Sequence, residues 1–336
     1  MGPRDEKLKR ALVDFALTAG ADSVGVAGVE AYSARVPNAQ KPAFLAEGMQ
    51  SIVVLTKHLL TGAVALQDVA TQATNSHLAL DELEECTHRM AEWLEERGHA
   101  ALPISPEYAD VDLKWTGAGL LDLKWTAEFA GLGHVGLNLN FLTPEYGSRV
   151  YIGALLTDVE LPADAPLADP LCPGMSCGRC AVICPPMAIP LSAGRDAHVN
   201  SYRDLDQKGC SQAAMRISIR SLYAVLRKLL RAPRELDPVE VLENRYWKDF
   251  YIATNSKRGA FAACFECMYV CPVGAKDVRK IMRIPYRRMD LPPRSVKHIR
   301  TDETHRVEWL GPPKDRDPEY IRDREFDHLV QLGNAS

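Results

Sequence analysis

Apolar residues run along the first half of the chain in two alternating rhythms. Between residues 5 and 19 they recur at Leu8, Leu12, Phe15 and Ala16, the spacing of one helix face. "ADSVGVAG" (21–28) and "SIVVLT" (51–56) are short runs rich in β-branched residues and predict buried strands. Residues 77–97 return to helical spacing, with Leu80, Leu83, Met90, Trp93 and Leu94 turned inward. "HAALPIS" (99–105) and "RVYIGALLTD" (149–158) predict two further strands. Strands interleaved with helices predict a layered sheet of the α/β or α+β class.

The rhythm breaks at "DVELPADAPLADP" (158–170), an acidic, proline-bearing stretch that reads as a linker. Beyond it, residues 213–233 predict a helix whose face carries Leu222, Val225, Leu226, Leu229 and Leu230. From about residue 285 the chain is rich in Pro, Arg, Asp and Glu and predicts an irregular, surface-lying tail. The expected organisation is a first domain over 1–165, a second over 166–284 and a tail over 285–336. A near-repeat, "DLKWT" at 112–116 and 122–126, is too short for a repeat architecture and reads as a local device.

The 336 residues suffice for about two domains. A net charge of -4 gives no bulk reason to expect a polyanionic partner. No apolar run reaches membrane-spanning length, and "MGPRDEKLKRALVDF" lacks an apolar signal core. The expectation is a cytoplasmic protein with no membrane partner.

Cysteines change the picture most. Of nine, only Cys86 lies in the first half, and its helical neighbourhood makes it an ordinary side chain. In a cytosolic chain the other eight are metal ligands or catalytic thiols before they are disulfides. "CPGMSCGRCAVICPP" carries Cys172, Cys177, Cys180 and Cys184, and "CFECMYVCP" carries Cys264, Cys267 and Cys271. Both groups close on x3-C-P, the ending of bacterial two-cluster ferredoxins, in which that last cysteine ligates the other cluster. Two [4Fe-4S] cubes need eight ligands, and Cys210 supplies the eighth. The expected sets are Cys172, Cys177, Cys180 and Cys271 for one cube and Cys184, Cys210, Cys264 and Cys267 for the other. The first pair is four residues apart where two are usual. Two zinc sites could use the same thiolates but have no need of the paired C-P endings.

"AEFAGLGHVGLNLNFLTPEYGSRVYIGALLTD" (127–158), followed by the two cysteine groups, resembles the superfamily of epoxyqueuosine reductases and reductive dehalogenases. The resemblance runs over about 20–280. It implies a nitroreductase-like α/β domain holding cobalamin base-off, followed by a bacterial-type two-cluster ferredoxin domain that reduces the cobalt. No D-x-H-x-x-G motif is present, which agrees with a corrinoid lacking a protein histidine beneath the metal. Gly131, Gly133, His134, Gly136 and Asn138 would then face the corrin. Tyr146, Gly147, Ser148 and Arg149 would form the loop beside it. Glycines there would let backbone approach a flat macrocycle.

The chain departs from that pattern at two places. Gly117 stands where the epoxyqueuosine reductases have a catalytic Asp, and Leu137 stands where they have a lysine. Asp112 and Asp122 flank the gap as replacement proton donors, and Tyr108 with Lys114 or Lys124 is the dehalogenase-like alternative. The expected function is a cobalamin-dependent iron–sulfur reductase. It would take electrons from an external flavodoxin- or ferredoxin-type donor and carry out a reductive elimination or deoxygenation of a small or medium organic substrate. Two alternatives stand beside it: an electron-transfer protein with a degenerate corrin pocket, and an epoxyqueuosine reductase acting on tRNA. Arg216, Arg220, Arg227, Lys228 and Arg231, with "RIPYRRMDLPPRSVKHIR" (283–300), form a solvated basic face or a dock for tRNA or an acidic donor.

Overall fold

Four strands make the central sheet: β1 (Ser23–Gly28), β2 (Ser51–His58), β3 (Ala101–Ile104) and β6 (Val150–Thr157), in the order β1-β2-β6-β3. In this computed structural model the described residues are 5–36, 41–66, 69–106, 119–189, 207–214, 221–222, 225–226, 229–230, 245–255, 264–274, 296–300 and 305–309. Every pairing in the sheet is antiparallel, so of the two layered classes the fold is α+β. Val26 lies opposite Val53, and Val53 opposite Leu155. That register sends Val26, Val53, Leu55 and Leu155 to one face and Ala27, Ile52, Val54, Ala154 and Leu156 to the other. Both faces are covered, which is why β2 reads as an unbroken apolar run. Ile52, Val53, Val54 and Leu55 are each 0% exposed, and burying each contributes about 1.5–3 kcal/mol.

Helices α1 (Glu6–Thr18) and α5 (Val69–Glu95) cover the first face. Asp5 caps α1, its carboxylate accepting from the Leu8 N–H at 2.7 Å. Leu12 and Ala16 are buried, and Leu8 and Phe15 pack at the margin. Helix α5 begins at Val69, earlier than the predicted 77, because "VATQATNS" lacks apolar periodicity. Its first turns bury Ala73, Asn75 and Ser76 instead. Cys86 is buried in this core, and its thiol points at the Ala16 carbonyl at 3.5 Å.

The other face receives α6 (Leu123–Phe129) and the small hairpin of β4 (His134–Val135) and β5 (Phe141–Leu142). The first cysteine segment packs on this same face: Ala181, Cys184, Ala188 and Ile189 share a core with Ile52, Val54 and Leu156. Residues 158–170 are a fitted strap rather than a loose linker. The Asp164 carboxylate accepts from the Val26 N–H at 2.8 Å and from Lys9 Nζ at 2.6 Å. Leu161 N–H donates to Ser51 Oγ at 2.9 Å. The strap thereby covers the open edge of β1.

Helical geometry is present at 221–222, 225–226 and 229–230, where Val225 is buried and Leu230 is 84% exposed, so the expected apolar face is covered only in part. Arg216, Arg220, Arg227, Lys228 and Arg231 lie outside the described residues. The tail was expected to be irregular, yet it contains an antiparallel hairpin of β7 (Val296–Arg300) and β8 (His305–Trp309). Alternation in "VKHIR" and "HRVEW" was the signal, hidden by the surrounding prolines and charges. Among the described residues no helix is long and apolar enough to cross a membrane.

Candidate functional site

All nine cysteines are described and all are free thiols. Electrostatic neighbours sort eight of them into two sets. Cys172 feels Cys271 and Cys177, and Cys180 feels Cys172, Cys271 and Cys177. Cys264 feels Cys184 and Cys210, and Cys267 feels Cys264, Cys180, Cys210 and Cys184. The structure thus brings Cys172, Cys177, Cys180 and Cys271 together, and Cys184, Cys210, Cys264 and Cys267 together, with Cys180 and Cys267 adjoining between the sets. A 3-10 turn, Gly174–Ser176, takes up the extra residues between Cys172 and Cys177. Among the described residues no three His, Cys, Asp or Glu side chains converge as ligands of one metal ion.

Burial pushes the thiols up, to about 11 for Cys184 and about 12 for Cys264. Burial also raises Cys180 and Cys267, and the neighbouring sulfurs raise them further. A bare thiolate is costly here; a thiolate sharing its charge with a metal centre is not. The sulfurs are also aimed at by donors. Leu137 and Gly174 N–H point at Cys172 Sγ at 3.5 and 3.4 Å, and Ala188 N–H points at Cys184 Sγ at 3.3 Å. Asn140 Nδ2 donates to Cys267 Sγ at 3.2 Å. Leu139 holds φ at +59°, a conformation costly for leucine, in the turn that presents Asn140.

Arg149 ties the second cysteine segment to the sheet. Its buried guanidinium donates to the carbonyls of Met268 and Cys271 at 3.2 Å each and of Val273 at 3.0 Å. Burial lowers its pKa and the nearby Cys271 opposes that shift. The approach is close enough that a Cβ on Gly147 would lie 2.0 Å from the Val273 carbonyl oxygen.

Asp122 is buried as the cap of α6, its carboxylate accepting from the Lys124 and Trp125 N–H groups at 3.2 Å each. Its own N–H donates to the Tyr32 hydroxyl at 2.7 Å. This carboxylate is engaged in starting the helix. Asp112, Tyr108 and Lys114 lie outside the described residues. Lys124 is a neighbour of Cys210 and Cys267: burial lowers its pKa, and Asp122 and those two sulfurs raise it.

At the end of β2 a second constellation was missed in the sequence, because a lone His after a strand carries no motif. His58 Nδ1 donates to Asp22 Oδ2 at 2.7 Å, and the Tyr146 ring stacks on the imidazole with centroids 4.5 Å apart. His58 lines an open cavity of about 540 Å³ together with Lys57, Leu60, Asn75, Leu78 and Glu82.

No family model matches the chain. Over 107 residues it is 41% identical to an epoxyqueuosine reductase of Synechococcus sp. (strain RCC307), covering 32% of this chain and 30% of that protein. Over 81 residues it is 40% identical to an epoxyqueuosine reductase of Bacillus cereus, covering 24% of this chain and 20% of that protein. The chain is related to the epoxyqueuosine reductases. It spans less than a third of the length of these two curated relatives. Among solved structures, an epoxyqueuosine reductase with an epoxyqueuosine-modified tRNA-Tyr stem loop aligns at TM-score 0.45 and 18% identity, over 80% of this chain and 65% of that one. A catabolic reductive dehalogenase with 3-bromo-4-hydroxybenzoic acid aligns at TM-score 0.42 and 22% identity, over 54% of this chain and 25% of that one. At such overlap the superpositions add nothing to the sequence relationship.

The residues expected to face a corrin are packed inward. A Cβ on Gly131 would lie 2.4 Å from the Ala165 carbonyl oxygen, and one on Gly133 would lie 1.9 Å from that of Leu142. A Cβ on Gly136 would meet the Leu142 side chain at 2.4 Å. Neighbouring protein, rather than a macrocycle, is what requires glycine at these positions and at Gly147. Arg149 is the clamp described above, and Ser148 is 0% exposed. His134 is buried with Nε2 against the Leu167 carbonyl at 3.1 Å, and the Asn138 carboxamide oxygen accepts from Asn140 N–H at 3.1 Å. Tyr146 stacks on His58, which lines the open cavity. Leu137, in place of the lysine of the epoxyqueuosine reductases, is buried beside Cys172.

Proposed function

We propose that the chain is an iron–sulfur oxidoreductase of the epoxyqueuosine reductase kind, acting on epoxyqueuosine in tRNA. This substrate takes the place of the small or medium organic molecule expected from the sequence, because the curated relatives carry the epoxyqueuosine reductase name. The observation that carries the iron–sulfur half is the gathering of eight thiols into two sets of four, with N–H donors aimed at three of the sulfurs. Cys172, Cys177, Cys180 and Cys271 would hold one [4Fe-4S] cluster, and Cys184, Cys210, Cys264 and Cys267 the other. The fit is chemical. Thiols that burial holds protonated, as at Cys172, Cys180, Cys184, Cys264 and Cys267, suit metal thiolates, and a cubane spreads its ligands around a wider body than a single zinc ion does. N–H donors on the sulfurs raise a cluster's potential.

Such clusters pass single electrons from an external flavodoxin- or ferredoxin-type donor. Residues 166–284 would deliver the electrons, and 1–165 would carry the site that uses them. With a net charge of -4, tRNA docking falls to the basic positions within 216–231 and 283–300.

The resemblance brings cobalamin as the group the clusters would reduce. The named glycines, Ser148, Arg149 and His134 do not form its cradle, and no step is derived through it. That inward packing favours a second reading, an electron-transfer protein with a degenerate corrin pocket. Anaerobic reconstitution with iron, sulfide and cobalamin, followed by incubation with an epoxyqueuosine-modified tRNA stem loop and a chemical reductant, separates the two. Two clusters and formation of queuosine support the first reading. Two clusters with neither queuosine nor cobalamin uptake support the second. Stoichiometric zinc with no iron would overturn both.

A further inference from the structure

The deoxygenation of an epoxide needs protons as well as electrons, and the capping role of Asp122 leaves that need open. The cavity at the end of β2 answers it. Its volume of about 540 Å³ falls within the usual range for a small-molecule site, about 300–1,000 Å³. Its wall is mostly apolar, with Leu60 and Leu78 exposed at 61% and 55%. Lys57, His58, Asn75 and Glu82 add polar groups to that wall, as in sites that orient a ligand.

One of these groups lacks a partner. Asn75 is 9% exposed, and its Oδ1 accepts from the Leu60 N–H at 3.0 Å. Its Nδ2 has no hydrogen-bond partner among the described residues. A buried amide donor without an acceptor is costly in an empty site and is answered by a ligand oxygen or ring nitrogen.

His58 is the other. Asp22 accepts from both its backbone N–H and its Nδ1, at 2.5 and 2.7 Å, which fixes the tautomer and leaves Nε2 to exchange a proton. Tyr146 stacks on the ring at an interplanar angle of 8° and packs against the same core as Cys172, Cys180, Cys210 and Cys267. Behind the cavity, Ala79 packs with Leu59, Val64 and Phe265, and with Met268 beside Cys267. The cavity therefore shares a wall with the second cysteine segment.

We propose that this cavity receives the modified base of the RNA, and that His58, positioned by Asp22, is the proton donor for its reduction. The inference rests on the function proposed above. Conversion of an epoxide to an alkene takes up two electrons and two protons and releases water. The two electrons would be supplied by the external one-electron donor, with the eight cysteines holding the groups that would pass them on. As the first carbon–oxygen bond breaks, the Nε2–H bond breaks and the proton goes to the departing oxygen. His58 becomes neutral imidazole while Asp22 stays a carboxylate, and water supplies the second proton. Bases of a single-stranded loop can enter such a pocket without disrupting a duplex.

The test uses the reconstituted full chain. His58→Gln is expected to lower turnover about 10²-fold or more with KM nearly unchanged. The groups that face His58 are Asp22, Lys57, Glu82 and Tyr146, and Asp22→Asn is expected to lower kcat less than His58→Gln does, with KM nearly unchanged. Asn75→Leu is expected to raise KM. Circular dichroism and iron content verify that each variant is folded. An active wild type with His58→Gln within two-fold of it overturns the inference and leaves the function standing. Should the wild type be inactive, the function fails, and a second readout decides the cavity: reaction of His58 with diethyl pyrocarbonate, read by mass spectrometry. Protection by the epoxyqueuosine-modified stem loop but not by the unmodified one supports it; equal protection or none overturns it.

Discussion

Replacing Arg149 with methionine removes three donated hydrogen bonds from a buried guanidinium and keeps most of the volume. The carbonyls of Cys271 and Val273 then lose this donor, while that of Met268 keeps the Cys271 N–H at 3.4 Å. Each stranded acceptor costs about 1–3 kcal/mol. The two are neighbours and do not add fully, so about 2–5 kcal/mol is the reasonable sum, or about 30- to 5,000-fold in the docking equilibrium of residues 264–274. The sheet does not depend on these bonds, since β2 and β6 pair along their full lengths. Expected, then, is a folded chain whose second cysteine segment is loose. The assay is iron and sulfide content after anaerobic reconstitution, with far-UV circular dichroism as the fold control. Arg149→Met is expected to lose iron from both cysteine sets, and Arg149→Lys to recover little, because an ammonium cannot span three carbonyls as a planar fork does. Full iron loading in Arg149→Met, with an unchanged melting temperature, would refute the clamp.

Other outcomes follow from the same geometry. Asn140→Leu removes the donor to Cys267 Sγ and is expected to make one cluster's potential more negative in a spectroelectrochemical titration, with the other unmoved. Asp122→Ser keeps a cap and is expected to keep turnover, whereas Asp122→Ala is expected to cost about 1 kcal/mol in urea unfolding with turnover per folded chain preserved. Gly133→Ala places a Cβ 1.9 Å from the Leu142 carbonyl oxygen, and is expected to yield little folded protein on expression. In the iron-stripped chain, thiols that ionise at 9.0 when unfolded hold their protons to about 11 at Cys184 and about 12 at Cys264. The stability they contribute is whole below pH 9 and lost as pH climbs through 11 to 12. Reconstituted protein, with its sulfurs already metal thiolates, is expected to lack that decline in denaturant titrations.

Much of the sheet was legible because buried strands announce themselves. The runs at 21–28, 51–56, 99–105 and 149–158 became β1, β2, β3 and β6 with ends moved by a few residues. The start of α5 was hidden, since Ala73, Asn75 and Ser76 are buried without being strongly apolar. The strap at 158–170 read as a linker because proline and acid residues mark solvent, whereas Asp164 spends its charge on an N–H and a lysine. The cysteines were visible by spacing alone. The surroundings of Gly131, Gly133 and Gly136 were not, because a glycine required by a passing carbonyl and one required by a cofactor look alike in sequence. Asn140 and the His58–Asp22 pair depend on turns and strand ends meeting in space, which no local pattern encodes.

The two cysteine segments are cross-stitched: each set of four takes thiols from both, Cys271 joining the first segment's three and Cys184 joining the second's two with Cys210. On the proposed assignment this makes cofactor assembly a proofreading step in biosynthesis. A chain emerging from the ribosome has Cys172, Cys177 and Cys180 in place long before Cys271 exists, and it cannot complete a cube with them. A product truncated before Cys267 therefore holds neither set of four, and only a chain made as far as Cys271 holds both.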